Sequence, residues 1–266
     1  MTEERSEERR RLLQSLKADA RSDDPTLHAQ VAKRVTDAEV LGTLDSEADY
    51  ANAATFRLRV SQVLEALATN PSPSAHDAFV SLTTDEAFIA DDDRTLALVR
   101  TSQHIRPPPP PLVDFWDRYC QPEDGFTPTT IKVLLDNGTE PAIGLLEKKF
   151  ADPAHEDGEK VAWMRMDVLR HRNDVLVLQA SQRLLDGELA EPLRPDLVEV
   201  LFDYKPEVWY RPAVSASPPE LSTASPAALD ALHALGIVAL TMVRLTDEQR
   251  AAVRLRLDQV EKLRGF

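Results

Sequence analysis

The stretch Gly138-Thr139-Glu140-Pro141-Ala142-Ile143-Gly144-Leu145-Leu146-Glu147-Lys148-Lys149-Phe150-Ala151 decides the fold class. Gly138 follows polar residues where one helix should stop, because glycine accepts the left-handed backbone that ends helices. Glu140-Pro141 then opens another, with proline at a position whose missing N–H costs a helix nothing. Ala142, Ile143, Leu146 and Phe150 fall on one helical face. Stop, start and stripe thus follow each other within fourteen residues, and the same grammar recurs on both sides.

Downstream, Ala162, Met166 and Leu169 form a second stripe. Leu193, Leu197, Val198, Leu201 and Phe202 form a third. Gly187 marks a further stop. Ser225-Pro226 repeats the proline start, and Thr246 with Gln249 three residues on is a capping-box pattern. Upstream, Thr127-Pro128 reads as another start. The spacing predicts helices at 77–90, 93–105, 109–120, 128–137, 139–151, 157–171, 174–187, 193–204, 226–242 and 246–264. Taken in pairs they recur at roughly 30–35 residues, the range of helical repeats, until an insertion near 205–225 lengthens the last unit. No window alternates apolar and polar residues at period two, so no sheet is expected.

Residues 1–70 read differently. Leu12, Leu13 and Leu16 give a thin stripe. Asp24-Pro25 opens a helix over Leu27, Val31, Val35, Ala38 and Leu41, with Gly42 as its stop. Phe56, Val60, Val63, Leu64 and Leu67 mark the cleanest amphipathic helix in the chain. The breaker cluster Asn70-Pro71-Ser72-Pro73-Ser74 follows it. The expected organisation is therefore an N-terminal helical extension or cap over 1–70 and a helical repeat array over 71–266.

Composition bounds the function. The 266 residues are 42% hydrophobic and 29% charged, enough to bury a core. Eight glycines argue against phosphate-cradling loops, and nineteen prolines fit helices that start and stop often. The net charge of −14 repels polyanions and anionic lipid surfaces. A single cysteine, Cys120, rules out an internal disulfide and a cysteine-based zinc site, and its apolar helical surroundings make it a buried small hydrophobe. Met1 to Glu8 holds no apolar signal core, and no stretch approaches the ~20 apolar residues of a membrane span. A cytoplasmic protein that does not engage a membrane is expected.

The helix-pair stretch from 77 to 245 resembles bacterial HEAT-repeat proteins. Glu140-Pro141-Ala142-Ile143-Gly144-Leu145-Leu146, then Val161 to Leu169, and Leu193 to Tyr204 carry the resemblance. It implies an all-α fold, a right-handed α-solenoid of helix pairs whose inner helices line a concave binding surface. The resemblance implies no single activity; by fold-level analogy, non-catalytic binding of a protein partner, as scaffold or adaptor, is the function expected here. Some HEAT-like proteins are enzymes, alkylated-base DNA glycosylases and bilin lyases among them. An enzyme of that kind, or a nucleic-acid-binding protein, is the alternative, which the acidity opposes.

No GxGxxG, GxxxxGK[ST], GxSxG or HExxH motif occurs, so no catalytic residue, metal ligand or cofactor is assigned from sequence. Asp91-Asp92-Asp93 reads as a solvated capping run, because three consecutive carboxylates on a helix do not converge. His155-Glu156-Asp157 reads as an acidic helix start. Pro107 to Pro111 must run extended, and helical flanks make it a connector. Arg250, Arg254, Arg256, Lys262 and Arg264 give the final helix a solvated basic face. Partner contacts are expected from Trp163 and Arg170, and from Tyr204, Lys205, Trp209, Tyr210 and Arg211 beside the Pro/Ser insertion. Trp, Tyr and Arg are the residue types that dominate interface energetics.

Overall fold

The computed structural model describes residues 3–44, 59–119, 128–166, 168–202 and 220–265. Among them the chain is all-helical, with no strand. It divides into two compact units, Met1–Tyr119 and Cys120–Phe266. Among the described residues no helix is long and apolar enough to cross a membrane.

The first unit contains α1 (Glu3–Ala20), α2 (Pro25–Val35), α3 (Ala38–Leu44), α4 (Arg59–Thr69), α5 (Pro73–Leu82), α6 (Glu86–Ile89), α7 (Asp92–Ser102) and α8 (Pro110–Tyr119). Helices three apart in the chain lie side by side: α1 packs on α4 and α4 on α7, while α2 packs on α5. The short α3 and α6 turn the chain between these rows. α4 is the pivot. Val60, Val63, Leu64, Ala66, Leu67 and Ala68 are all buried, because it packs against α1, α5 and α7 at once. The Asn70–Ser74 breaker accordingly lies inside this unit, as the turn between two packed helices. Trp116 of α8 is fully buried, and its indole N–H donates to Ser102 Oγ at 2.8 Å, satisfying the one polar atom that burial would otherwise penalise.

Two sequence expectations fail here for one reason: a side chain captured a backbone amide. The helix expected to run from Leu27 to Gly42 breaks at Thr36-Asp37. Asp37 Oδ1 accepts the N–H groups of Glu39 and Val40, which starts α3, and α3 then continues through Gly42. The helix expected over 77–90 starts earlier, at Pro73, and divides. Thr83 and Thr84 hydroxyls donate back to Val80 and Ser81 carbonyls at the end of α5. Asp85 Oδ1 then accepts from Phe88 N–H and opens α6.

The second unit contains α9 (Pro128–Asn137), α10 (Glu140–Ala151), α11 (Asp157–Met166), a 3-10 turn (Val168–His171), α12 (Val175–Arg183), a π-type turn (Leu184–Glu188), α13 (Arg194–Phe202), α14 (Pro226–Met242) and α15 (Asp247–Arg264). Here alternate helices pack. α10 lies on α12 and α12 on α14, while α11 lies on α13 and α13 on α15. The ends are fixed as the sequence indicates. Gly138 adopts φ +65° after α9. Ser225 Oγ accepts from Ala228 N–H, and Thr246 and Gln249 form the full capping box. α10 differs by one position: Thr139, not Glu140, is its N-cap. α14 and α15 form the closing hairpin, and Gly236 is where they touch. A Cβ there would stand 2.5 Å from Leu257 Cδ2.

Candidate functional site

α2 and α5 do not close completely on each other, and between them runs an open groove of about 620 Å³. That volume falls within the range of small-molecule clefts. The small residues of the two helices make it: Ala29 and Ala32 on one wall, Ala78 on the other, with Leu82 at one end. Lys33, Asp77 and Asp85 give it a charged rim, and Ser74 and Ser81 are its hydroxyls.

A buried polar network lies beneath the end where both helices begin. His28, fully buried, sits one helical turn before Val31 and Ala32 on the inner face of α2. Its Nε2 lies 2.7 Å from the Ser22 carbonyl oxygen, and its Nδ1 lies 2.8 Å from Ser74 Oγ. A carbonyl oxygen can only accept, so Nε2 carries the hydrogen. In the neutral ring Nδ1 then offers a lone pair, and Ser74 O–H donates to it. Ser74 Oγ is also 2.8 Å from Ser72 Oγ. Asn70 holds the arrangement from below. Its amide N–H groups donate to the Ala20 and Ser22 carbonyls at 2.9 and 3.0 Å, and its Oδ1 accepts from Ser72 N–H at 2.9 Å. The Ser22 carbonyl therefore serves two donors, which accounts for the 3.3 Å approach of Asn70 Nδ2 to His28 Nε2. Chemically this is a hydroxyl on an open groove, a base hydrogen-bonded to it, and a third group fixing the base's orientation.

The residues expected to contact a partner belong to the second unit. Trp163 belongs to α11 and Arg170 to the following 3-10 turn, but the side chains of both lie outside the described residues. Tyr204, Lys205, Trp209, Tyr210 and Arg211 lie outside the described residues altogether, as does Cys120.

The remaining candidates resolve into structural roles. Asp91 is the N-cap of α7, its Oδ1 accepting from Arg94 N–H, with Asp92 and Asp93 in the first turn. Burial pushes the Asp91 carboxyl upward, but the bonds from Arg94 outweigh it and hold the group below the usual carboxylate range. His155 is buried in the α10–α11 connection, five residues before a buried lysine. That lysine, Lys160, donates to the Asp152 carbonyl at 2.5 Å, and burial lowers its pKa against the pull of Asp157 and Asp152. No group of three metal-binding side chains occurs among the described residues. Pro107 to Pro109 connect helices, and Pro110 and Pro111 begin α8. The basic residues of α15 are partly engaged within the hairpin: Arg264 pairs with Asp230 at 2.8 Å, and Arg250 donates to the Leu240 carbonyl. Arg256 is half-buried. Burial, and then the like charge of Arg256, push the Arg172 guanidinium down to about 10. An apolar cavity among Ile143, Phe150, Met164, Val177 and Leu197 holds about 20 Å³, room for little more than one water.

Sequence reasoning missed His28 and Ser74. One signal is present in the sequence: His28 lies at i−3 and i−7 from Val31 and Val35, the inner face of α2. Ser74 stood in a proline breaker, 46 residues from the base it meets. Compared with known proteins, the chain matches no family model, no curated protein and no solved structure.

Proposed function

We propose that the second unit of this protein acts as a non-catalytic, HEAT-like helical-repeat scaffold or adaptor that binds a protein partner. The observation that carries the reading is the packing of the second unit, where α10, α12 and α14 form one row and α11, α13 and α15 the other. Two rows of alternating helices are what stacked helix pairs produce, since each pair contacts its neighbours. Arrays of this kind present one row as a continuous surface. Of the expected anchors, Trp163 belongs to α11 and Arg170 to the turn after it, and Tyr204 to Arg211 follow α13 in the sequence. Aromatic and arginine residues are the types that dominate hot-spot clusters. The charge of −14 favours a partner with a basic face and a binding rate that falls with salt.

The test is capture of the tagged protein from lysate of its native host, beside the Trp163→Ala/Trp209→Ala variant and a solenoid of similar charge. A near-stoichiometric partner that the variant loses while keeping its helicity supports the reading. Equal loss of helicity and binding would assign the two tryptophans to the core, and capture no different from the control solenoid would sink the adaptor role.

A further inference from the structure

The geometry points to Ser74 as an acyl-accepting nucleophile activated by His28, with the α2–α5 groove as a site for carboxylic esters of short apolar acyl groups. Three observations converge on it. First, nucleophile, base and orienting group stand at hydrogen-bond distance in sequence: Ser74 Oγ to His28 Nδ1 at 2.8 Å, and His28 Nε2 to the Ser22 carbonyl at 2.7 Å. The tautomer is the productive one, because the carbonyl keeps the hydrogen on Nε2 and turns the lone pair of Nδ1 toward the serine. Second, Ser74 is half-buried on the groove wall while His28 is fully buried, so a substrate reaches the hydroxyl and water does not reach the base from behind. Third, Ala29, Ala32, Ala78 and Leu82 continue the groove away from Ser74 as an apolar wall of small side chains, a fit for an acyl chain of a few carbons.

The step balances within the site. Ser74 Oγ attacks the ester carbonyl as its proton passes to His28 Nδ1, forming a carbon–oxygen bond and a tetrahedral oxyanion. The imidazolium so formed is stabilised by its Nε2–H···O=C bond to Ser22, whose carbonyl Asn70 holds in place. Collapse breaks the bond to the leaving alcohol, which takes the proton from His28. Water, deprotonated by the same ring, then releases the carboxylic acid and restores Ser74. Ser74 is the second residue of α5, behind a proline that has no N–H, so its own amide is a first-turn donor without an intrahelical acceptor. That amide and the positive end of the ten-residue helix suit the developing oxyanion.

Ser81 supplies an internal control. It lines the same groove, but its hydroxyl donates to the Ala78 carbonyl at 2.8 Å instead of to an imidazole. The experiment incubates the full chain with p-nitrophenyl acetate, follows phenolate release and maps acetyl groups by peptide mass spectrometry. Acetylation of Ser74 roughly 100-fold faster than of Ser81, the size of effect a positioned base confers, is expected. Phenolate release should fall to background in Ser74→Ala and by a similar factor in His28→Gln. Rates at Ser74 and Ser81 within about tenfold of each other, or label confined to lysines, would overturn the proposal. If His28→Gln fails to fold by circular dichroism, the Ser74 to Ser81 ratio on the native chain still decides.

Discussion

Two glycine-to-alanine substitutions in the second unit should move its stability in opposite directions. Gly144 lies exposed within α10, and a methyl group added there meets nothing within 4 Å. Gly236 is buried in α14, where the same methyl would stand 2.5 Å from Leu257 Cδ2 and 2.8 Å from Leu257 Cγ. Carbon atoms prefer roughly 3.5–4.0 Å. Leu257 is itself buried and cannot swing into solvent, so α15 must shift or Leu257 must leave its rotamer. Both substitutions gain the same helix propensity, about 0.8–1 kcal/mol. Gly236→Ala alone adds overpacking, typically about 1–3 kcal/mol. The propensity gain cancels in the difference between the two variants, which should therefore report the overpacking by itself. For a domain of this size that difference amounts to roughly 2–12 °C in Tm. Urea titration followed by helical circular dichroism would measure it, with slopes compared to confirm that the unfolding unit is unchanged. A double-mutant cycle adds a check: in a Leu257→Ala background, Gly236→Ala should lose most of its penalty. If Gly236→Ala stabilises the unit as much as Gly144→Ala does, the close approach of α14 and α15 is wrong and so is the reasoning.

Two further outcomes are expected. Asn70→Ala removes the donors to the Ala20 and Ser22 carbonyls and the acceptor for Ser72 N–H in a buried site, which should destabilise the first unit by about 1–3 kcal/mol; a change under about 0.5 kcal/mol in urea unfolding would show that water replaces these bonds. Asp136 is half-buried, which raises its pKa, but the hydrogen bonds and charges of His171 and Lys132 more than offset this and leave it below the ordinary 3.8. A carboxyl with a depressed folded value contributes stability that is fully present above pH ~4 and is lost as pH falls through that lower value. Asp136→Asn should flatten the acid limb of the second unit's stability profile, and an unchanged limb between pH 2 and 4 would refute the assignment.

Much of the fold was legible because its punctuation is chemical. α9 and α14 have the bounds expected of them, and each begins with proline. α9 also ends at a glycine with positive φ. The capping box at Thr246 needed no tertiary information either. Where the reading failed, the competing signal was a short polar side chain with two possible roles. Asp37 and Asp85 lie within apolar periodicity, and periodicity alone reads through them. An aspartate that accepts from the amides two or three residues on stops one helix and starts another, and only geometry shows which role it took. Several of the acidic residues behind the net charge do this work: Asp24, Asp85, Asp91 and Asp174 each cap a helix N-terminus. Part of the acidity that argued about partners is therefore an instrument of the fold.

The groove was illegible for a different reason. Its residues are ordinary one by one: alanines that lower the profile of α2 and α5, a serine after a proline, and a histidine on an apolar face. What joins them is the row packing of the first unit, which lays α2 on α5 and brings the α1–α2 turn against the α4–α5 turn. The network at that junction must satisfy the Ala20 and Ser22 carbonyls and the Ser72 N–H, all backbone groups exposed where helices end. Asn70 and His28 meet that need. Asn70 is buried and accepts, through Oδ1, the bond that starts α5, so its amide orientation is fixed by the turn rather than chosen. The carbonyl it holds then fixes the histidine tautomer, and the tautomer decides which way the Ser74 hydroxyl points. A reactive arrangement can thus arise as the last member of a chain of helix-end hydrogen bonds, each required by folding alone. A structural role for His28 and a chemical one for Ser74 are for that reason compatible, and the comparison with Ser81 separates them, since both serines share the groove and only one shares the network.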